Sequence, residues 1–131
     1  MKKVIQTSGK RKRAVARATL HEGTGKITIN GQALESFSNS VFRLRVAEPV
    51  TLAADKRGHI DIDIHAHGGG TYGQADAIRL AIARALVESD KKLKKVFDDY
   101  DRLLLVADVR RKEMRKTNDS KARKKRQKSY R

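Results

Sequence analysis

Apolar and polar positions first alternate between Arg13 and Leu20, with Ala14, Ala16, Ala18 and Leu20 on one face and Val15, Arg17 and Thr19 on the other. A two-residue period of this kind predicts a half-buried strand. The turn residues Glu22-Gly23-Thr24-Gly25 follow, and Lys26 to Asn30, rich in β-branched residues and bounded by Gly31, reads as the second arm of a hairpin. Phe37, Val41 and Leu44 then fall at helical spacing, in a helix that Pro49 should disrupt or restart. From His59 to His65 alternation is strict, which places Ile60, Ile62, Ile64 and Ala66 toward a core. After Gly68-Gly69-Gly70, the positions Ala75, Ile78, Ile82, Ala85 and Leu86 predict one helix, and Leu93, Val96, Phe97 and Tyr100 predict another. Leu103 to Val106 is a short unbroken apolar run, the pattern of a buried strand.

Strands and helices in this order predict an α+β domain with helices packed on a mixed sheet, and no internal repeat is present. A chain of 131 residues, 38% hydrophobic, suits a single compact core. Beyond Val109 only Met114, Ala122 and Tyr130 are apolar, too little to offset the entropy of ordering the segment. The chain therefore divides into a globular domain, 1–109, and a tail, 110–131, expected to be disordered without a partner.

Charge sharpens that division. The net charge is +16, of which residues 1–17 carry +7 and residues 110–131 carry +10, leaving −1 for the body between them. Two basic ends on a neutral body point to a polyanionic partner, because clustered charge sets up a local field. Cysteine is absent, which excludes disulfides and thiolate chemistry and favours a cytosolic setting. Neither a signal peptide nor a membrane span is expected from the apolar runs.

Three candidate chemistries can be weighed on residues alone. Gly68-Gly69-Gly70-Thr71-Tyr72-Gly73 fits G-x-G-x-x-G between a strand and a helix. A dinucleotide site is disfavoured, since the preceding strand alternates and the next acidic strand end, Asp108, lies 35 residues beyond Gly73. A tight turn, or the same turn receiving an RNA phosphate at the helix N-terminus, remains. His59, Asp61, Asp63, His65 and His67 share one strand face, but neighbours there stand roughly 6–7 Å apart, so a metal would need ligands from elsewhere. No nucleophile motif supports catalysis, and neither an enzyme nor a cofactor is expected. Lys10, Arg11, Lys12 and Arg13 run straight into a strand, which holds them on a rigid scaffold. Arg110, Arg111, Lys112, Arg115, Lys116, Lys121, Arg123, Lys124, Lys125, Arg126, Lys128 and Arg131 can neutralise many phosphates, each releasing counterions. Extended, the 22 tail residues reach on the order of 75 Å, and Tyr130 sets a stacking ring beside Arg131.

Three blocks resemble the S-nine family of small-subunit ribosomal proteins. They are GKRKRAVARATLHEGTGKITING (Gly9 to Gly31), GGGTYGQADAIRLAIARAL (Gly68 to Leu86), and DVRRKEMRK (Asp108 to Lys116) through to QKSYR (Gln127 to Arg131). The QKSYR ending is similar to the archaeal and eukaryotic branch, and the brevity of the chain to archaeal members. The resemblance implies a ribosomal-protein-S-five domain-two-like sandwich of mixed sheet and helices with an extended basic tail. It also implies a place in the subunit head, with rRNA and neighbouring ribosomal proteins as partners and no membrane. For rRNA it points to Lys10 to Arg13, Arg17, Gly69, Gly70, Tyr72, Gln74, and the tail cations from Arg110 to Arg126. For peptidyl-site tRNA it points to Lys128, Ser129, Tyr130 and Arg131. Family tails often carry glycine near position 118, where this chain has Thr117-Asn118-Asp119-Ser120. A basic nucleic-acid-binding protein outside the ribosome is the alternative reading.

Overall fold

The computed structural model describes residues 3–130. Five strands form one sheet: β1 (Ile5–Arg11), β2 (Ala14–Glu22), β3 (Ile27–Ile29), β4 (Gln32–Ala33) and β5 (Ile60–His67). Three helices accompany them: α1 (Ser40–Leu52), α2 (Thr71–Ser89) and α3 (Leu93–Tyr100). The strand order is β1-β2-β5-β3-β4, with every neighbouring pair antiparallel except β3 and β5. The expected α+β architecture with a mixed sheet is present.

Alternation along β2 and β5 sends Ala14, Ala16, Ala18, Leu20, Ile60, Ile62, Ile64 and Ala66 into the core, as their spacing predicts. The small residues of β2 let α2 settle close to the sheet. Its side chains from Ala75 to Leu86 are almost all buried, because α1 and α3 pack on its other sides. Gly9 of β1 is the tightest point of this packing. A methyl group there would overlap the backbone carbonyl of Ala77 and lie 2.8 Å from the Ala81 nitrogen.

Four expectations need correction. The strand β3 is not the second arm of a hairpin with β2: it pairs parallel to β5, which lies between them. The Asp61 carboxylate of β5 redirects the intervening turn by accepting the N–H groups of Thr24, Gly25 and Lys26 at 2.8–2.9 Å. Those bonds, that from Lys26 foremost, hold the Asp61 carboxyl below its ordinary pKa. The hairpin is instead β3–β4, closed by Asn30 and Gly31, both at positive φ.

In α1 the core face is Phe42, Val46, Pro49 and Val50, while Val41 and Leu44 are exposed. Pro49 does not break that helix. Sitting one turn from its end, the ring lacks only one N–H, its own carbonyl still accepts from the Ala53 N–H at 3.1 Å, and it is fully buried.

The fourth correction concerns Leu103 to Val106, which form no strand. Arg102–Leu104 make a 3-10 turn capped by Asp101, whose carboxylate accepts from the Leu103 N–H at 2.9 Å. Arg84 substitutes for strand pairing here: it donates to the Leu105 carbonyl at 3.2 Å and to the Ser8 carbonyl of β1 at 2.9 Å. Only Leu104 of the run is fully buried, and beyond it the described residues form no helix or strand.

Candidate nucleic-acid interface

The turn joining β1 to β2 is two residues long, Lys12-Arg13, and Lys12 takes a left-handed φ of 53°. Such a backbone costs an L-residue about 1–2 kcal/mol. A lysine where glycine or asparagine would be relaxed places its charge at the extreme tip of the hairpin. Facing this tip, Gly68 and Gly69 turn the chain from β5 into α2 with φ of 75° and 63°. The turn runs so close to Arg13 and Ala14 that a side chain at Gly69 would meet Ala14. Gln74 secures it by donating its side-chain N–H to the Gly68 carbonyl at 3.1 Å.

Helix α2 begins at Gly70 without a side-chain cap, so its first amide N–H groups open outward, at the positive end of a 19-residue helix. Hairpin tip, glycine turn and the start of the tail enclose a cleft of about 1140 Å³. It is lined by Arg11, Lys12, Arg13, Gly69, Gly70, Thr71, Tyr72, Gly73, Asp76, Arg110, Arg111 and Lys112.

Beneath the cleft lies a mesh of ion pairs that the sequence did not reveal. Arg11 pairs with Asp108 and approaches Asp76 at 3.7 Å, Arg45 reaches Asp76 at 3.3 Å, and Asp108 holds Arg110 at 2.7 Å. Asp108 also accepts from the Arg110 backbone N–H at 2.8 Å, so it fixes both the course of the tail's first residues and the position of Arg11. The only sequence signal was an acid two residues before an arginine pair, Arg110-Arg111. Among the described residues Lys12, Arg13, Arg111 and Lys112 form no ion pair, so their charges are not neutralised there.

Of the residues predicted from sequence, the cleft brings together Arg11, Lys12, Arg13, Gly69, Gly70, Tyr72, Arg110, Arg111 and Lys112. Gln74 serves the turn itself. Lys10 and Arg17 are exposed and alternate onto the opposite face of the sheet. The remaining tail cations lie past the cleft. Glu113 pairs there with Lys116 at 3.3 Å and Arg123 at 2.8 Å, while Lys124, Lys125 and Arg126 line a shallow concavity with Asn118 and Asp119. Asn118 has φ 68°, a left-handed conformation that asparagine adopts more readily than most residues other than glycine. Lys121 and Lys128 to Tyr130 are exposed, and Arg131 lies outside the described residues. Among the described residues no group of three histidines and acids converges as a metal site, and no helix is long and apolar enough to cross a membrane.

A family model described as ribosomal protein S9/S16 matches residues 9–131, from the β1 glycine under α2 to the last residue of the tail. The chain belongs to the ribosomal protein S9/S16 family. Relatives named small ribosomal subunit protein uS9 support this along nearly their full length. That of Methanothrix thermoacetophila is 47% identical over 98% of this chain and 99% of its own. The proteins of Halobacterium salinarum and Thermoplasma volcanium are each 50% identical, covering 98% and 97% of this chain and 99% and 98% of theirs. Membership makes the chain a structural ribosomal protein of archaeal type rather than an enzyme. The alternative of a basic protein outside the ribosome does not survive this match.

Proposed function

We propose that the chain binds rRNA of the small-subunit head through the cleft between the hairpin tip and the α2 N-terminus, and that its tail extends through the RNA to the peptidyl-site tRNA. The observation that carries this reading is the convergence of four cations without ion pairs, from the hairpin and the tail root, on an uncapped helix N-terminus. Phosphates suit such a site twice over, through the arginine and lysine charges and through the free amide N–H groups. Tyr72, 62% exposed at the rim, offers a ring for an unstacked base.

In this reading residues 1–109 form the body and residues 110–131 a tail that orders only on RNA, where its charge is neutralised. Lys128 to Arg131 reach the tRNA, neighbouring ribosomal proteins of the head pack around the body, and the whole works in the cytoplasmic ribosome. No cofactor is invoked.

Lys12→Gly tests the cleft, because it separates binding from folding. Glycine relieves the left-handed strain at the cost of its greater unfolded-state freedom, so stability should hold or rise by up to about 1 kcal/mol. Affinity for head rRNA should nevertheless fall, and the slope of log affinity against log salt should become shallower by about 0.7–0.9 for one lost phosphate contact. A variant that binds head rRNA with wild-type affinity and slope would remove Lys12 from the interface.

A further inference from the structure

The helices cover one face of the sheet and leave the other open. On that open face β1 presents Gln6, Ser8 and Lys10, β2 presents Val15, Arg17, Thr19 and His21, and β5 presents Asp61, Asp63, His65 and His67. None of these side chains is buried. The register places Lys10 beside Val15 and Val15 beside His67, with Ser8 beside Arg17 and Arg17 beside His65 in the next row.

The acids and cations of this face differ in what the fold has already done with them. Asp61 is filled by the three N–H groups of the 24–26 turn. Asp63 accepts from the Thr28 hydroxyl and pairs with His21 at 3.1 Å. Both acids therefore serve the fold and lie at one end of the face. At the other end Lys10 and Arg17 form no ion pair among the described residues, and the rings of His65 and His67 stand exposed on β5 alongside β2. That cationic end adjoins the hairpin tip, so it continues the charge of the cleft around the β1–β2 hairpin onto the opposite side.

We propose that this hairpin end of the open sheet face is a second RNA surface, which takes a single-stranded or looped segment with its phosphates on Lys10 and Arg17 and its bases on the rings of His65 and His67. The inference deepens the rRNA-binding reading and rests on it. Single-stranded RNA is favoured over duplex on spacing. Successive side chains on one strand face stand roughly 6–7 Å apart, about twice the ~3.4 Å rise per stacked nucleotide, so bases laid on these two rings must be splayed. Splayed bases occur in loops and single strands, and exposed rings on an open sheet are a way of holding them. Asp61 and Asp63 repel phosphates and bound the footprint at the far end. The β1–β2 hairpin would thus stand between two RNA segments, one in the cleft and one across the sheet.

The test uses the full chain, a short oligouridylate and head rRNA, with two variants, Lys10→Gln/Arg17→Gln and His65→Ala/His67→Ala. All four positions are exposed, so thermal unfolding should match the wild type in both, which confirms that the fold is intact. Loss of the two cations should make the salt slope for oligouridylate shallower by roughly 1.4. Loss of the two rings should weaken oligouridylate binding about tenfold or more while leaving the slope unchanged, since stacking is not ionic. Both variants should also weaken binding to head rRNA. If both bind oligouridylate and head rRNA as the wild type does while Lys12→Gly still weakens head rRNA binding, the second surface is refuted and the cleft stands. The face would then be free to meet a protein. If Lys12→Gly is silent as well, Lys12 leaves the interface too, and the second surface is refuted together with the cleft contact it adjoins.

Discussion

Gly9→Val is expected to destabilise the domain by about 3 kcal/mol or more, a large part of the ~5–15 kcal/mol that holds a domain folded. The obstacle is backbone: the carbonyl of Ala77 and the nitrogen of Ala81 belong to α2 and cannot turn aside as a side-chain end could. To admit even a methyl group, α2 must lift from β1 and so also from Ala14, Ala16 and Ala18 of β2, all of which are buried beneath it. Gly58→Ala is the control, since nothing lies within 4 Å of a side chain there, and it should change stability by less than about 0.5 kcal/mol. Urea unfolding of both variants measures the contrast. A Gly9→Val protein within about 1 kcal/mol of wild type would mean that α2 does not rest on β1 as described.

The second large effect lies at Arg79, the one buried charged side chain among the described residues. Its guanidinium ties α2 to α1 through Glu48 at 2.6 Å and to the segment after α3 through Asp101 at 2.9 Å. Burial works to raise the Glu48 carboxyl, but hydrogen bonds from Arg79 and Tyr100 outweigh it and hold it below its ordinary value. Burial likewise opposes ionisation of Asp101, and bonds from the Leu103 N–H and Arg79 again prevail.

Arg79→Met keeps the apolar stem yet leaves two carboxylates facing an apolar group. A cost of about 2–3 kcal/mol is expected at neutral pH, below the fully buried range because Glu48 and Asp101 still reach water. The pH dependence has a definite sign. Carboxyls whose pKa is depressed in the folded state contribute stability that is fully present above their ordinary range near pH 4 and lost as pH falls through the folded values. The gap between wild type and Arg79→Met should therefore narrow below about pH 4. A gap that stays constant down to pH 2 would show that Arg79 acts by packing alone.

The elements readable in the sequence are those whose side chains carry a clear period. β2 and β5 follow their alternating spacing residue for residue, because each buries one well-defined face, and in α2 the positions at helical spacing are all buried, together with others between them that face α1 and α3. β1 was not legible as a strand: of Ile5, Thr7, Gly9 and Arg11 on its helix-facing side, only Ile5 is a large apolar residue. Thr7 instead donates to the Ala81 carbonyl at 2.7 Å, and Gly9 is selected by closeness of approach. The pairing of β3 escaped notice because parallel partners far apart in sequence leave no local signal. α1 misled because Val41 and Leu44 keep helical spacing on the exposed side.

For the site, the basic residues and the glycine turn were visible as clusters, and the structure adds which of them meet. Asp76, Asp108 and Arg45 could not be found from spacing, since the pairs of Arg11 with Asp76 and Asp108 and of Arg45 with Asp76 join four separate segments. The same holds for Arg17, whose charge belongs to the first basic block in sequence but to the open sheet face in space.

The most direct test of the central claim, that cleft and tail together neutralise rRNA phosphates, compares the full chain with one ending at Lys112. The shorter chain keeps every cation of the cleft and removes only those past it. Binding to head rRNA is measured across a range of salt. If the tail threads through RNA, the full chain's slope of log affinity against log salt should be steeper by roughly 4–6 units, while the shorter chain should retain a measurable slope from the cleft. Equal slopes would contradict the tail's role in rRNA, and a shorter chain with no salt dependence would contradict the cleft's.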